Sequence, residues 1–215
     1  MGVVPKTEIM RRLGLRITEP ESLVITPLLQ REEILNELSD PDSVDLRLGT
    51  YFLLSQVPPV PFTYPSKKSA QHSHVRAHVP IGSYLVVPAH ETVLGSTLEF
   101  IKLPSDLSGE ILTKSSVART FTVIETAPWI HPSYRGCLTL EIANASNTPL
   151  ILYPGRLIAQ LILMDLLGAH ATERKLSGTY LAPVFPEAPT FQDPKEDLMR
   201  IGVAEDQIRY PTHPH

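Results

Sequence analysis

The sequence predicts an all-β fold with a few short helices, and three features of the chain lead to this prediction. Proline accounts for 21 of the 215 residues, and proline breaks helices and is disfavoured in central strands. Strand-like segments recur at a spacing of roughly 8–12 residues, which is typical of sandwiches and barrels. Turn residues, as in Pro104-Ser105-Asp106 and Pro154-Gly155, separate those segments.

Three segments lie outside the main run of predicted strands. Residues 31–40 predict a short helix, because acidic side chains fall in its first turn. Residues 55–80 contain five prolines and three histidines and predict a long, exposed loop. Residues 194–204 predict a second short helix.

The first predicted strand begins with the alternation of a half-buried sheet. In residues 43–53, Val44 and Leu46 share one face. Asp45 lies on the other face, and we predict a structural role for it, paired with its neighbour Arg47 or with an adjacent strand.

The other predicted strands are apolar or alternating segments bounded by turn residues. They cover residues 83–87, 92–103, 108–113, 121–126, 137–143, 149–152 and 156–166.

The composition excludes several classes of protein. A net charge of −4 and a pI near 6.1 argue against a general nucleic-acid binder, which usually carries a basic face. The single cysteine, Cys137, permits neither an internal disulfide nor a Cys-x-x-Cys zinc site, fits a reducing compartment, and is expected to be a small buried residue. No run of about 18 apolar residues predicts a membrane span, and no signal-peptide core is present. We expect a cytoplasmic protein.

Glu141 is the first candidate for chemistry. In the predicted strand 137–143, the leucines share one face with Ile142. Thr139 and Glu141 lie on the other face with Cys137. One interpretation is a carboxylate on the solvent face of a half-buried strand. The other is a general acid/base, which needs a partly dry pocket that raises its pKa toward neutrality.

Residues 114–119, which read Lys-Ser-Ser-Val-Ala-Arg, are the second candidate. Two hydroxyls flanked by Lys114 and Arg119 can donate many hydrogen bonds to phosphate oxygens, and Arg119 suits bidentate contact. The alternative is a polar turn that enters a short helix, with Ser115 or Ser116 as the N-cap. The two interpretations are compatible, because a helix N-terminus also attracts anions.

The histidines are weaker candidates. His131 lies in a proline-containing turn, where a histidine is usually a surface residue. His72, His74 and His78 are close in sequence, but no matching Cys or Asp/Glu set accompanies them. We therefore expect no protein-bound metal and no zinc.

Taken together, these motifs resemble the core of the dCTP deaminases, within the trimeric dUTPase superfamily. The similarity extends over roughly residues 20–167, and its strength lies in the ordered set rather than in any one motif. The segments that carry it are 43–49 (Ser-Val-Asp-Leu-Arg-Leu-Gly), 94–104, 114–119, 126–127 (Thr-Ala), 130–136 (Ile-His-Pro-Ser-Tyr-Arg-Gly), 138–144 (Leu-Thr-Leu-Glu-Ile-Ala-Asn) and 149–161.

The resemblance implies a dUTPase-like β-clip or distorted barrel in a single domain. That domain would span residues 1–215, with an N-terminal segment (1–42), a β core (43–170) and a divergent C-terminal lid or tail (171–215). It also implies a homotrimer whose active sites are shared between neighbouring subunits, acting on a pyrimidine deoxynucleotide triphosphate.

The implied reaction is a metal-free deamination, in which water adds to C4 of cytosine and ammonia leaves. The matching positions give Glu141 as the proton shuttle, with Ser115 and Arg119 holding the water and the catalytic geometry. Mg²⁺ would be bound through the triphosphate rather than by a protein cage. The positions that match substrate-binding residues are Lys114, Ser116, Thr126, Ala127, His131, Thr139, Leu140, Gln160 and Tyr180.

Three departures separate this chain from the family pattern. His131 stands where the family has an aspartate that contacts the sugar and, in dUTPases, orients the attacking water. The segment after Arg119 is one residue shorter than usual and lacks a glycine. The C-terminal lid keeps Tyr180, but Thr179 and Ala182 replace polar partners.

Three hypotheses remain open at this point. The first is deamination of dCTP to dUTP. The second is a dUTP diphosphatase or a bifunctional deaminase-diphosphatase, against which His131 counts. The third is a nucleotide-binding relative without turnover, which the altered lid supports.

Overall fold

The computed structural model describes residues 2–28, 42–55, 74–124, 127–170 and 182–188. Within these ranges the chain forms two α-helices and twelve β-strands. The helices are α1 (Lys6–Leu13) and α2 (Ser115–Ala118). The strands are β1 (Val24–Thr26), β2 (Ser43–Arg47), β3 (Tyr51–Ser55), β4 (His74–His78), β5 (Leu85–Val87), β6 (Thr92–Lys102), β7 (Leu107–Thr113), β8 (Thr122–Ile124), β9 (Trp129–Ile130), β10 (Arg135–Asn144), β11 (Leu150–Leu152) and β12 (Leu157–Asp165).

The strands form two main antiparallel sheets and a small pair. The first sheet has the order β4-β3-β6-β10-β8, with β1 paired to β6. The second sheet has the order β2-β12-β7-β9, and β5 pairs with β11. Since the pairs among the described strands are antiparallel, directly opposite residues point to the same face.

The core lies between the inward faces of these sheets. Alternation along β10 and β12 buries Leu140, Ile142, Leu161 and Leu163 completely, as the period of two in a strand requires. Val44 and Leu46 of β2 are buried in the same cluster, which confirms the predicted alternation there.

A buried ion pair joins the two sheets. Arg47 of β2 bonds Glu99 of β6 through Nε–Oε1 at 2.6 Å, and its own backbone N–H donates to Glu99 Oε2 at 2.9 Å. Next to it, the Gly49 N–H donates to the Ser96 carbonyl at 2.7 Å. Because both charged side chains are at least 90% buried, loss of either partner would leave an uncompensated charge between the sheets.

A second charge network fixes α1 to the core. The Arg12 guanidinium donates to both carboxylate oxygens of Asp106, at 2.9 and 2.8 Å, and to Glu8 at 2.8 Å. The Arg11 and Arg12 guanidiniums hold the pKa of Glu8 down at about 2. Neither described helix is long and apolar enough to cross a bilayer.

Most predicted strands are confirmed, with small shifts of their ends, but the predicted strand 43–53 is divided into β2 and β3, which lie in different sheets. The predicted strands 92–103 and 137–143 correspond to β6 and β10, and 156–166 corresponds to β12. The prolines among the described residues lie outside the strands, as the composition led us to expect. The predicted helices 31–40 and 194–204 lie outside the described residues.

Parts of the prediction were wrong. Residues 74–78, assigned to a long loop, form strand β4, which pairs along its whole length with β3. Its side chains are exposed or half-buried, so no hydrophobic alternation marks it, and pairing with β3 supplies its order instead. Helix α1 and the short strands β1 and β9 were not predicted, because each depends on contacts with distant segments.

Candidate functional site

The outward face of β10 carries two of the predicted site residues. Thr139 is half-buried and Glu141 is exposed, while Leu138, Leu140 and Ile142 point into the core. This division confirms the alternation expected from the sequence. We call the surface formed by Thr139 and Glu141 the β10 face.

Neighbouring strands extend the β10 face into an apolar surface. Glu141 lies opposite Leu94 of β6, and Leu94 lies opposite Leu53 of β3, so the three side chains form a row across the sheet. A cleft of about 190 Å³ opens beside Leu53. Its lining residues are Tyr51, Phe52, Leu53, Arg76, Ala77, His78, Phe185 and Pro186.

A bulge sets where Thr139 lies on this face. The register between β10 and β6 shifts between Cys137 and Thr139, so that Thr139 comes opposite Ser96. The Leu138 N–H donates to Thr97 Oγ1 at 2.9 Å, and the Thr97 hydroxyl donates to the Glu99 carbonyl at 2.8 Å. The irregular stretch therefore keeps its hydrogen bonds satisfied and is anchored to the buried Glu99.

A C-terminal segment covers one edge of the β10 face. In residues 182–188, the Pro183 carbonyl accepts from the Cys137 N–H at 2.6 Å, and the Glu187 N–H donates to Thr139 Oγ1 at 3.2 Å. Because the Leu138 N–H faces β6, the Cys137 N–H faces the opposite edge by the alternation of the strand. The segment therefore docks on the edge of β10 that faces away from β6. It meets β10 at residues that come before the stretch paired with β8.

Two further contacts fix this C-terminal segment. Gly136 has φ +142°, and a Cβ at that position would lie 2.5 Å from Pro183 Cδ, so glycine is required both by the backbone and by the close approach. Phe185 packs edge-on against Tyr51, with ring centroids 4.6 Å apart. Sequence reasoning missed this segment, since prolines around an exposed Val-Phe pair indicate an extended chain but not the strand that it meets.

Burial raises the pKa of three ionisable groups in and beside the C-terminal segment. It raises the pKa of Glu187, and it raises the pKa of the Cys137 thiol, with a contribution from the charge of Glu99. Burial also raises the pKa of Tyr134, whose hydroxyl donates to the Cys137 carbonyl at 2.8 Å. Cys137 itself is 7% exposed, which confirms the prediction that it is buried.

A second group of predicted residues gathers on the other sheet. The Lys114 ammonium bonds Asp45 Oδ2 at 2.5 Å. In the sheet, Asp45 of β2 lies opposite Gln160 of β12. We call Asp45, Lys114 and Gln160 the Lys114 cluster. The predicted pairing of Asp45 with Arg47 was wrong, because Arg47 is held by Glu99, and the observed ion-pair partner Lys114 follows β7, two strands away.

Helix α2 contains most of the predicted polar turn, residues 114–119. Its N-cap is Lys114, with no side-chain cap, so the predicted capping by Ser115 or Ser116 is not found. The helix begins at Ser115 itself, which places both hydroxyls inside the first turn. Ser115, Ser116 and Arg119 are all exposed, and α2 has only four residues, so anion binding here would depend on side chains.

The remaining predicted residues are distributed differently. His131 is exposed at the start of a turn in which the Tyr134 N–H donates to the His131 carbonyl at 3.2 Å. Ala127 is exposed. The Leu140 side chain is fully buried, so only its main chain can meet a ligand. Thr126 and Tyr180 lie outside the described residues.

The predicted catalytic and substrate-binding residues lie on both sheets and on the connection between them, since α2 joins β7 of the second sheet to β8 of the first. Glu141 and Thr139 lie on the first sheet, whereas Lys114 follows β7 and Gln160 lies on β12 of the second. Ser115 and Arg119, next to Lys114, are solvent-exposed. Across the ranges that the structure describes, no group of three or more His, Cys, Asp or Glu side chains could hold a metal ion.

Comparisons with known proteins agree on one family. The family model described as dCTP deaminase-like matches residues 15–166. The chain is 35% identical over 146 residues to a dCTP deaminase of Halorubrum lacusprofundi, a match that covers 67% of this chain and 70% of the relative. It is 33% identical over 146 residues to a dUMP-forming dCTP deaminase of Methanobrevibacter smithii, covering 67% and 73%.

A solved structure shares the fold. The crystal structure of 2'-deoxycytidine 5'-triphosphate deaminase from Agrobacterium tumefaciens superposes with a TM-score of 0.54 at 20% identity. The match covers 75% of this chain but only 47% of that one.

Proposed function

The chain belongs to the dCTP deaminase-like family, and we propose that it catalyses the hydrolytic deamination of dCTP to dUTP and ammonia. The observation that carries the proposal is the position of Glu141. It is an exposed carboxylate on β10, on the same face as Thr139, and that face continues into an apolar surface. The partly dry pocket that a general acid/base needs would be completed by the neighbouring subunit of the trimer proposed below. A carboxylate beside a surface suited to a planar base is the minimum equipment for moving protons on that base.

In the proposed mechanism Glu141 moves protons between three positions. Its carboxylate accepts a proton from water as the oxygen bonds to C4 of cytosine, and that proton passes to N3 of the base. A second proton from the added hydroxyl goes to the amine, the C4–N bond breaks, and ammonia leaves a C4 carbonyl. Thr139 and the main chain of Leu140 border the base.

The phosphates are assigned to the Lys114 side of the site. Lys114, Ser116 and Gln160 would contact the triphosphate, and Mg²⁺ would enter bound to its oxygens. Ser115 and Arg119 would hold the attacking water. The exposure of Ser115, Ser116 and Arg119 supports these roles, because each is accessible to a ligand.

We further propose that the active unit is a homotrimer in which neighbouring subunits share each site. The exposure of Glu141 on β10 and of Arg119 at the end of α2 supports this arrangement, since a neighbouring copy can bring an exposed turn to the β10 face. Light scattering of the purified protein is expected to give three times the chain mass of 23.9 kDa. The single buried cysteine fits a cytoplasmic enzyme.

Shared sites have a direct test. Glu141→Gln and Arg119→Ala would each be inactive alone. Trimers reassembled from a mixture of the two variants would recover activity, because some sites would receive both intact residues. Mixtures as inactive as the separate variants would show that each site is built from one chain.

A second activity is favoured by one observation. Several relatives, including that of Methanobrevibacter smithii, are named as dUMP-forming. The corresponding second step here would hydrolyse dUTP to dUMP and pyrophosphate. His131 stands where that step would use an aspartate, so the identity of the product decides between a deaminase and a bifunctional enzyme.

One assay separates these functions. Purified protein is incubated with dCTP, CTP, dCMP or dUTP and Mg²⁺, and the products are separated by chromatography. Formation of dUTP from dCTP supports deamination alone, and formation of dUMP with pyrophosphate adds the second step. Tight nucleotide binding without any product would overturn both in favour of a binding-only relative.

A further inference from the structure

The ion pair between Asp45 and Lys114 is enclosed although it lies at the margin of the sheet. The side chains are 18% and 25% exposed, and the ammonium approaches only one carboxylate oxygen, Asp45 Oδ2. The other oxygen, Asp45 Oδ1, is buried and has no hydrogen-bond partner among the residues that the structure describes. A carboxylate that contributed only to stability would be expected to have both oxygens satisfied.

The sheet register explains why Asp45 reaches Lys114 rather than its sequence neighbours. Gln160 lies opposite both Asp45 of β2 and Leu112 of β7, so these three side chains share one face. Lys114 follows Leu112 by two residues and returns to the same side of the chain. Its own N–H donates to the Ile158 carbonyl at 3.1 Å, which fixes the start of its side chain.

We propose that Asp45 is a positioning residue that holds the Lys114 ammonium in the place where it receives a nucleotide phosphate. This inference rests on the proposed function. An ammonium on a flexible four-carbon stem has three donors and little orientation of its own. Asp45 engages one donor and leaves two for phosphate oxygens.

The same geometry predicts which property of the enzyme depends on Asp45. Without the carboxylate, Lys114 keeps its charge but loses its fixed direction, so the ligand must order it on binding. The loss falls on phosphate binding and not on proton transfer at Glu141, which lies on the other sheet. We therefore expect a change in KM with little change in kcat.

The test is a double-mutant cycle on the full chain. Asp45→Asn, Lys114→Met and the double variant are compared with the native protein for the KM and kcat of dCTP and dCMP. Asp45→Asn is expected to raise the KM for dCTP about tenfold, within the range of coupling between contacting residues. It should have a much smaller effect on dCMP and no further effect when Lys114 is already methionine.

Asp42→Asn is the matched control, because it makes the same substitution at an exposed position three residues away. Thermal unfolding of each variant separates loss of fold from loss of binding. If Asp45→Asn does not fold, Asp45→Glu replaces it, since the longer side chain keeps the charge but misplaces it. Independent effects of the two substitutions, a lowered KM, or an equal effect on dCMP would overturn the positioning role.

A second measurement distinguishes this inference from the proposed function. Binding of inorganic tripolyphosphate, followed by calorimetry, requires neither a base nor turnover. Binding that weakens with Asp45→Asn only while Lys114 is present supports the positioning role even if dCTP is not deaminated. If dCTP is deaminated while tripolyphosphate binding is absent or insensitive to Asp45, the positioning role fails and the deaminase remains.

Discussion

The β10 face and the Lys114 cluster are assembled in different ways. The β10 face takes Thr139 and Glu141 from one strand, and its alternation is visible in the sequence. The Lys114 cluster combines residues from β2, from β12 and from the turn after β7. The β10 face comes from neighbouring residues in sequence, and residues 182–188 then cover one edge of it. The Lys114 cluster forms only because the sheet register brings distant residues together. Site residues that share one strand can therefore be grouped from the sequence. Site residues that meet across several strands cannot.

The strongest test of the comparison is to remove the carboxylate of the β10 face. Glu141→Gln is expected to lower kcat for dCTP by about 10²–10⁴-fold, the usual contribution of a general acid/base. Nucleotide affinity, measured by calorimetry, should be retained because the Lys114 cluster is untouched. The exposed carboxylate of Glu91 provides the control, and Glu91→Gln should keep its activity. Unchanged turnover by Glu141→Gln would remove the β10 face from the mechanism.

The support beneath the β10 face gives the next largest effect. Glu99→Gln leaves the Arg47 guanidinium buried without its counter-charge, which is expected to destabilise the fold by about 3–5 kcal/mol. Glu21→Gln removes an exposed partner of Arg11 and should change stability far less than Glu99→Gln, because solvent screens an exposed ion pair. Equilibrium unfolding in urea measures both variants. Similar values for the two would show that the buried pair does not hold the sheets together.

The contact between the C-terminal segment and β10 is tested at Gly136. Gly136→Ala combines an unfavourable φ with a Cβ 2.5 Å from Pro183, and the strain alone is expected to cost about 1–3 kcal/mol. Gly82→Ala also places a side chain at a positive φ, +94°, but with no atom within 4 Å, so it shows the effect of a positive φ without the collision. Denaturant unfolding should show Gly136→Ala to be the less stable variant. Equal losses would mean that residues 182–188 do not press on Gly136 in solution.

The smallest expected effect is a pH dependence carried by Glu187. Burial raises the pKa of Glu187 in the folded chain above its ordinary value of 4.5. The folded state therefore binds this proton more tightly than the unfolded state, and the resulting stability is present below 4.5 and lost as pH rises through the raised value.

Glu187→Gln should abolish this component. The unfolding free energies of the native protein and of Glu187→Gln are measured from below pH 4.5 to above the raised pKa of Glu187. Their difference removes the contributions of the other titrating groups, which the two proteins share. The unfolding free energy of the native protein should rise relative to that of the variant as the pH falls. A difference that stays constant with pH would contradict a buried Glu187.

Local pattern predicted much of the fold and part of the site. Glu141 was found because its strand alternates, and the strand ends followed from proline and glycine turns. Strand β4 was missed because His74–His78 has no apolar face and takes its order from β3. Helix α1 was missed because Arg12 is fixed by Asp106, 94 residues away. The roles of Ser115, Arg119 and the other site residues remain predictions.

The partner of Asp45 shows why the rest could not be predicted. A strand pattern places Asp45 on a face but does not say which strands lie beside it. Arg47 was the nearest cation in sequence, yet it points to Glu99, and Lys114 became available only through the order β2-β12-β7.

The docking of residues 182–188 next to Cys137 gives the protein an internal chemical reporter. Cys137 is the only thiol in the chain, is 7% exposed, and donates its N–H to Pro183. Alkylation requires an accessible thiolate, and burial suppresses both access and ionisation. The rate at which a maleimide labels the native protein should therefore report how often residues 182–188 detach from β10 and expose Cys137. No engineered probe is needed. Addition of nucleotide during labelling would reveal whether ligand and C-terminal segment compete for the same strand edge or stabilise each other.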